Sequence, residues 1–231
     1  MLPLSDSFPT QRLPWMTWLI IALNIIVFIL QTAYGPDESG ARALAYTFGF
    51  LPGVTFGHHD AELAQINLGW LAIFTSMFMH GGLAHLGGNM LYLHIFGDNV
   101  EDRLGKPRFV IFYLLGGVAA ALTQALTDPT SLIPMIGASG AISALLGAYI
   151  VLYPQQRITV YAPYQGLVEV PAIIVLGVWF IGQFLASTAT SGEQGGVAVW
   201  AHIGGFIFGA ALIRLFALGT PQKPPRPRLW Q

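Results

Sequence analysis

Four polar residues set inside long apolar runs carry most of the chemical information in this 231-residue chain. Ser139 lies in Gly137-Ala138-Ser139-Gly140, where a late apolar run begins. Its small neighbours let a polypeptide backbone approach closely. A helix starting there offers free backbone N–H groups and a partial positive charge, both suited to a developing oxyanion. A serine hydroxyl is a weak nucleophile at its free pKa and needs an adjacent base. His202, in Trp200-Ala201-His202-Ile203-Gly204-Gly205, is the candidate. An ionisable side chain that deep in an apolar run is costly unless it faces the bundle interior and finds a partner. Gly205 and Gly209 follow on the face that carries His202, and Ser139, Ser143 and Gly147 form a matching stripe at helical spacing. Two such stripes allow close helix packing, which brings the imidazole within reach of the hydroxyl. The competing readings are a small-residue packing motif around Ser139 and a histidine bonded to a carbonyl at 202.

The third constellation is His80-Gly81-Gly82-Leu83-Ala84-His85-Leu86-Gly87-Gly88-Asn89. His85 and Asn89 are four apart and stack on one helical face. Both can donate hydrogen bonds, as an oxyanion hole requires. His80 lies about 140° round the helix from His85 and need not share that face. The alternative is interhelical hydrogen bonding that fixes packing, and Asn24, alone in its run, is assigned to packing or a local bond. No metal site is expected: the histidines at 58, 59, 80, 85, 94 and 202 form no His-Glu-x-x-His motif, and no carboxylate is near His85 in sequence. The absence of cysteine rules out a thiol nucleophile, disulfides and thiolate ligands. No pair of aspartates lies inside an apolar run. Asp98, Glu101 and Asp102 are expected to end the second run or bond across it, next to Arg103.

The elements that must position these residues are membrane helices. Hydrophobic residues make up 54% of the chain and charged residues 9%, against about 25% charged in soluble domains. A soluble fold with so few charges would expose large apolar patches. Net charge is −1, so no basic surface points to nucleic acid. Apolar runs long enough for bilayer helices lie at roughly 15–33, 82–99, 109–127, 138–153, 169–187 and 198–218. The first is too long for a signal-peptide core. The shorter run Leu68–Met79 reads as an interfacial or re-entrant element of a long first loop, residues 34–81, broken at Gly81-Gly82. Six spans put both termini on one side, together with nine of the ten basic residues, leaving Arg42 opposite. The positive-inside rule makes that side cytoplasmic. Residues 1–14 are then a cytoplasmic segment, 15–218 the membrane domain, and 219–231 a disordered cytoplasmic tail.

Together these residues resemble the rhomboid intramembrane serine proteases over residues 15–218. The marks are His80 to Asn89, Phe96-Gly97-Asp98-Asn99-Val100-Glu101-Asp102, Gly137 to Gly140, and Ala201-His202 with Gly205 and Gly209. The resemblance implies an all-α polytopic fold, a six-transmembrane-helix bundle around a water-accessible cavity. It implies Ser139 as nucleophile, His202 as its base, and no third carboxylate. His85, Asn89 and the Ser139 backbone N–H would bind the oxyanion. His80 would support the first loop, and Gly137, Gly140, Gly205 and Gly209 the close approach of backbones. The implied partners are single-span transmembrane protein substrates in the lipid bilayer, of a bacterial-type plasma membrane, with no cofactor. It also implies a cavity capped near residues 188–197 and a lateral gate between the second and fifth spans, at Trp179 and Phe180. Two positions depart from the family pattern. Leu71 and Ala72 stand where many members carry Trp-Arg, and Ser143 where many carry a tyrosine stacked on the catalytic histidine. The competing classes are an inactive rhomboid-like protein that binds client helices and a small transporter. The latter lacks a second broken segment to match His80-Gly82.

Overall fold

The computed structural model describes residues 2–58, 61–189 and 198–220. In chain order the elements are strand β1 (Leu2–Asp6) and helices α1 (Trp15–Tyr34), α2 (Glu38–Phe48), α3 (Pro52–Thr55) and α4 (Ala61–Ile66). A 3₁₀ turn (Gly69–Leu71) leads into α5 (Ala72–Ser76), α6 (Leu83–Leu104), α7 (Lys106–Thr127) and α8 (Ser139–Leu152). Strands β2 (Arg157–Ala162) and β3 (Gly166–Pro171) precede α9 (Ala172–Ala189) and α10 (Val199–Phe216). Each of the six apolar runs carries one helix, α1, α6, α7, α8, α9 and α10, and the fifth run begins in β3. Of these, α1, α7 and α10 are long and apolar enough to cross a membrane, while α8 and the apolar part of α9 are shorter.

Helix α8 is the axis of the bundle. Every residue from Gly140 to Tyr149 is buried, against α6, α7 and above all α10. Small residues make that closeness possible. A Cβ on Gly147 would collide with the Phe206 carbonyl oxygen, and one on Gly209 with that of Ala144. Phe96, Phe109, Phe112, Tyr113 and Tyr149 are fully buried aromatic residues of the same core. Such rings supply large apolar area and dispersion contact where a bundle in lipid has no water to exclude.

Two sequence expectations are modified. Asp98, Glu101 and Asp102 do lie in the last two turns of α6, next to Arg103, but the bonds of Glu101 and Asp102 reach a distant part of the chain. Glu101, 4% exposed, accepts from the backbone N–H groups of Met16 (3.0 Å) and Thr17 (2.8 Å) and from Thr17 Oγ1 (2.8 Å). Helix α1 has no acidic residue in its own first turn, so Glu101 supplies from α6 the negative charge that a helix N-terminus favours. Asp102 accepts from Gln11 N–H at 3.0 Å, while Arg103 bonds the hydroxyl and carbonyl of Thr220.

The fold is also not purely α. β1, β2 and β3 form a three-stranded antiparallel sheet in that order. Ile158, Val160 and Ala162 of β2 are buried in strand alternation. Asp6 ends β1 and accepts from Asn99 Nδ2 at 2.6 Å and the Tyr149 hydroxyl at 2.7 Å. Asp6 therefore pins β1 to α6 and α8. Residues 190–197 of the expected cap, the tail from 221 and His59 lie outside the described residues.

The long first loop folds into α2 to α5 and lies against the segment that leads to Ser139. Phe50 and Met135 exchange backbone hydrogen bonds at 3.0 and 2.9 Å, and Gly137 N–H donates to Ser76 O at 2.9 Å. Within the run Leu68–Met79, Ala72, Ile73 and Ser76 are buried, and the chain breaks at Gly81-Gly82 before α6.

Candidate active site

Helix α8 begins at Ser139 because the chain before it makes a turn open only to glycine. Gly137 has φ +125°, a region that disfavours side chains. A Cβ there would stand 2.7 Å from His85 Nε2, 2.9 Å from His85 Cε1 and 3.7 Å from Asn89 Nδ2. Those distances place the His85 ring and the Asn89 amide against the turn that delivers Ser139. No side chain caps α8, which leaves its first N–H groups for a ligand.

His202 enters from α10. Its Nε2 lies 2.8 Å from Ser139 Oγ, and its Nδ1 lies 2.8 Å from Gln183 Oε1 on α9. With Nδ1–H donating to that amide oxygen, Nε2 is the acceptor for the serine hydroxyl. The imidazole is 8% exposed, and Trp179 lies beside it, ring centroids 6.0 Å apart and planes inclined at 38°. The approach of α10 depends on Gly205, where a Cβ would collide with the Gly140 carbonyl oxygen and meet Ser143 Cβ at 3.3 Å. On the other side Gly140 must lack a Cβ, which would lie 2.6 Å from Ala120 Cβ on α7. Gln124 of α7 accepts from Ala201 N–H at 3.2 Å and ties the start of α10 to the bundle.

The donors on α6 are themselves oriented. His80 Nδ1 lies 3.3 Å from Phe78 O and its Nε2 lies 2.9 Å from Asn89 Nδ2. With Nδ1–H donating to the carbonyl, Nε2 accepts one amide hydrogen of Asn89. The His80 backbone is held by Gln31 of α1, which accepts from His80 N–H at 3.0 Å and donates to His80 O at 3.1 Å. Gly81 N–H donates to His85 Nδ1 at 3.4 Å, so His85 Nε2–H faces the site as a donor. Asn24 bonds locally to Ile20 O at 2.8 Å.

A buried imidazole accepting from a serine hydroxyl at a helix N-terminus, with two side-chain donors alongside, can perform acyl transfer. The described residues include no cluster of histidine and carboxylate side chains that could hold a metal ion.

A family model, the rhomboid domain, matches residues 67–218. The chain belongs to the rhomboid family. Its relatives include the rhomboid protease GluP of Bacillus subtilis, 32% identical over 86% of this chain and 35% of GluP. The rhomboid protease AarA of Providencia stuartii is 27% identical over 90% of this chain and 74% of its own length. RHOMBOID-like protein 6, mitochondrial, of Arabidopsis thaliana is 27% identical over 88% of this chain and 69% of its own. This rhomboid thus spans about a third of GluP and about seven-tenths of the other two. Family membership and the apolar helices make it an integral membrane protein.

The two departures from the family pattern have structural answers in this rhomboid. Ala72 is fully buried, Leu71 is exposed, and Trp70 packs edge-on against Phe56 at 5.5 Å. The loop is instead held by Asn67, which donates to Tyr46 O at 2.6 Å and Gly49 O at 3.0 Å and accepts from Gly69 N–H at 2.8 Å. Thr75 adds a bond to Phe48 O at 2.6 Å. Ser143 turns back to the Ser139 carbonyl at 2.7 Å, so the side-chain contacts to the far side of His202 come from Trp179 and Gln183. The gate expectation meets a similar finding: Phe180 stacks on Phe206 of α10 at 4.6 Å, and Trp179 also faces Phe206. Sequence reasoning passed over Gln31, Asn67, Gln124 and Gln183. The available signal was an amide stranded in or beside an apolar run, which needs a partner.

Proposed function

We propose that this rhomboid is an intramembrane serine endopeptidase that cleaves transmembrane proteins in or beside their membrane segments. The observation that carries the reading is the 2.8 Å contact between Ser139 Oγ and His202 Nε2 at the start of α8, beside the donors of His85 and Asn89. As Ser139 Oγ attacks the scissile carbonyl, His202 Nε2 takes its proton. The negative carbonyl oxygen is met by His85 Nε2–H, Asn89 Nδ2–H and the Ser139 backbone N–H. Collapse expels the amine, which receives the proton from His202, and leaves an acyl-enzyme on Ser139. Water, deprotonated by the same imidazole, then releases the acyl product. No metal or cofactor has a step in this scheme.

The name of GluP as a protease and that of AarA support the reading. The proposed architecture has six spans, α1, α6, α7, α8, α9 and α10, with both termini in the cytoplasm, following the asymmetry of basic residues. A cleavage assay in detergent with a single-span membrane substrate tests the function. Product that forms with the wild type and vanishes in Ser139→Ala supports it. A wild-type protein that captures the substrate without cutting it would favour an inactive client-binding role.

A further inference from the structure

We propose that Gln183 is a positioning residue for this chemistry: it holds His202 in the tautomer and orientation that make Nε2 a base, in place of a third carboxylate. The inference rests on the proposed serine-protease reading and extends it to a residue outside the dyad. The geometry is direct, since Gln183 Oε1 lies 2.8 Å from His202 Nδ1 while Nε2 faces Ser139 Oγ at the same distance. A neutral imidazole carries one proton, and the bond made by one ring nitrogen decides which nitrogen keeps it. An amide oxygen can only accept, so it selects Nδ1–H and leaves the Nε2 lone pair for the serine. Without that acceptor the proton can sit on Nε2, where it blocks general-base catalysis.

A second contact from the same helix makes the arrangement a cradle. Trp179 and Gln183 are one turn apart on α9, on one face, and both meet His202: Trp179 flanks the ring and Gln183 takes its outer nitrogen. Neither helix that carries the dyad does this. Ser143, the α8 residue one turn below Ser139, spends its hydroxyl on the Ser139 carbonyl. The competence of the dyad therefore depends on three helices, α8 for the nucleophile, α10 for the base and α9 for the orientation of the base.

The test combines a spectrum and two substitutions in the full-length protein in one detergent. The ¹⁵N signals of His202 should report Nδ1–H with an unprotonated Nε2 in the wild type. An Nε2–H tautomer overturns the proposal, and that spectrum can be read whether or not the protein turns over substrate. Gln183→Met keeps the length and apolar volume but has no strong acceptor. It should lower kcat by about tenfold or more, the equivalent of one lost hydrogen bond of ordinary strength, with KM within about twofold. Gln183→Glu restores an acceptor oxygen and should recover most of kcat. A role in packing alone would lower the thermal midpoint in both variants and leave the tautomer unchanged. Unchanged kcat and tautomer in Gln183→Met overturn the proposal. Failure of the dyad itself would show separately, as turnover retained in Ser139→Ala.

Discussion

Replacing Gly209 with alanine should separate the two helices that carry the dyad, and the structure sets the size of the effect. The new Cβ would overlap the Ala144 carbonyl oxygen and stand 2.7 Å from that carbonyl carbon and 2.9 Å from Ala144 Cα. Carbon atoms in contact ordinarily sit about 3.5–4.0 Å apart, so α8 and α10 must part by roughly 1 Å. The opposing atoms are backbone, and no change of rotamer relieves the overlap. Overpacking of this kind costs about 1–3 kcal/mol. If the parting carries through to the site, the contact of Ser139 Oγ and His202 Nε2 grows from 2.8 Å to roughly 3.8 Å, which is no hydrogen bond. A misplacement of that size can cost about 10² in rate. The control is Gly177→Ala on α9, where an added Cβ meets nothing within 4 Å and alanine is the better helix former. The assay is kcat, KM and thermal midpoint of both variants in one detergent. The expected result is a lower midpoint and much lower kcat for Gly209→Ala, with neither loss in Gly177→Ala. Wild-type kcat and midpoint in Gly209→Ala would refute the argument that glycine sets the dyad distance.

Three further outcomes follow from the same geometry. Ser139→Ala and His202→Ala should each abolish cleavage and the double variant should lose little more, because the pair acts as a unit, while EDTA should leave turnover intact; additive losses would contradict this. Asn89→Ala should lower kcat by about 10²–10³ with a smaller change in KM, leaving measurable activity where Ser139→Ala leaves none; a lowered midpoint with unchanged kcat would assign Asn89 to the scaffold. Asp6, on the strand outside the spans, has its carboxyl pushed up from 3.8 to about 6 by burial, partly offset by the Tyr149 hydroxyl. The folded state therefore holds that proton more tightly, and the stability it contributes is present below pH 3.8 and lost as pH rises through about 6. Asp6→Asn cannot lose it, so its midpoint should gain on the wild type between pH 4 and 7; a pH-independent difference would count against a buried, proton-holding Asp6.

Much of the helical architecture was legible in the sequence because long apolar runs announce themselves, and each of the six runs carries a helix, three of them long and apolar enough to cross a membrane. Ser139, His202, His85 and Asn89 stood out because polar groups in such runs need a reason to be there. The rest depended on partners distant along the chain. β1 is five residues with a proline, LPLSD, and becomes a strand only by pairing with β2. The first residues of the fifth run, Glu169 to Pro171, belong to β3 and hid the hairpin. Glu101 sits two residues before Arg103, yet its bonds go to the start of α1. The amides of Gln31, Asn67 and Gln183 show why lone polar residues mark a site without naming their partners. Each bonds to a residue on another element or turn, and only the fold brings those groups together.

The central claim is an activated Ser139, and covalent labelling tests it most directly. The detergent-solubilised protein would be treated with a serine-reactive fluorophosphonate, digested, and the modified residue located by mass spectrometry. The account predicts one adduct, on Ser139, absent in Ser139→Ala and strongly reduced in His202→Ala with the protein still folded. An unlabelled wild type that nevertheless cleaves substrate, or an adduct on any other serine, would contradict it.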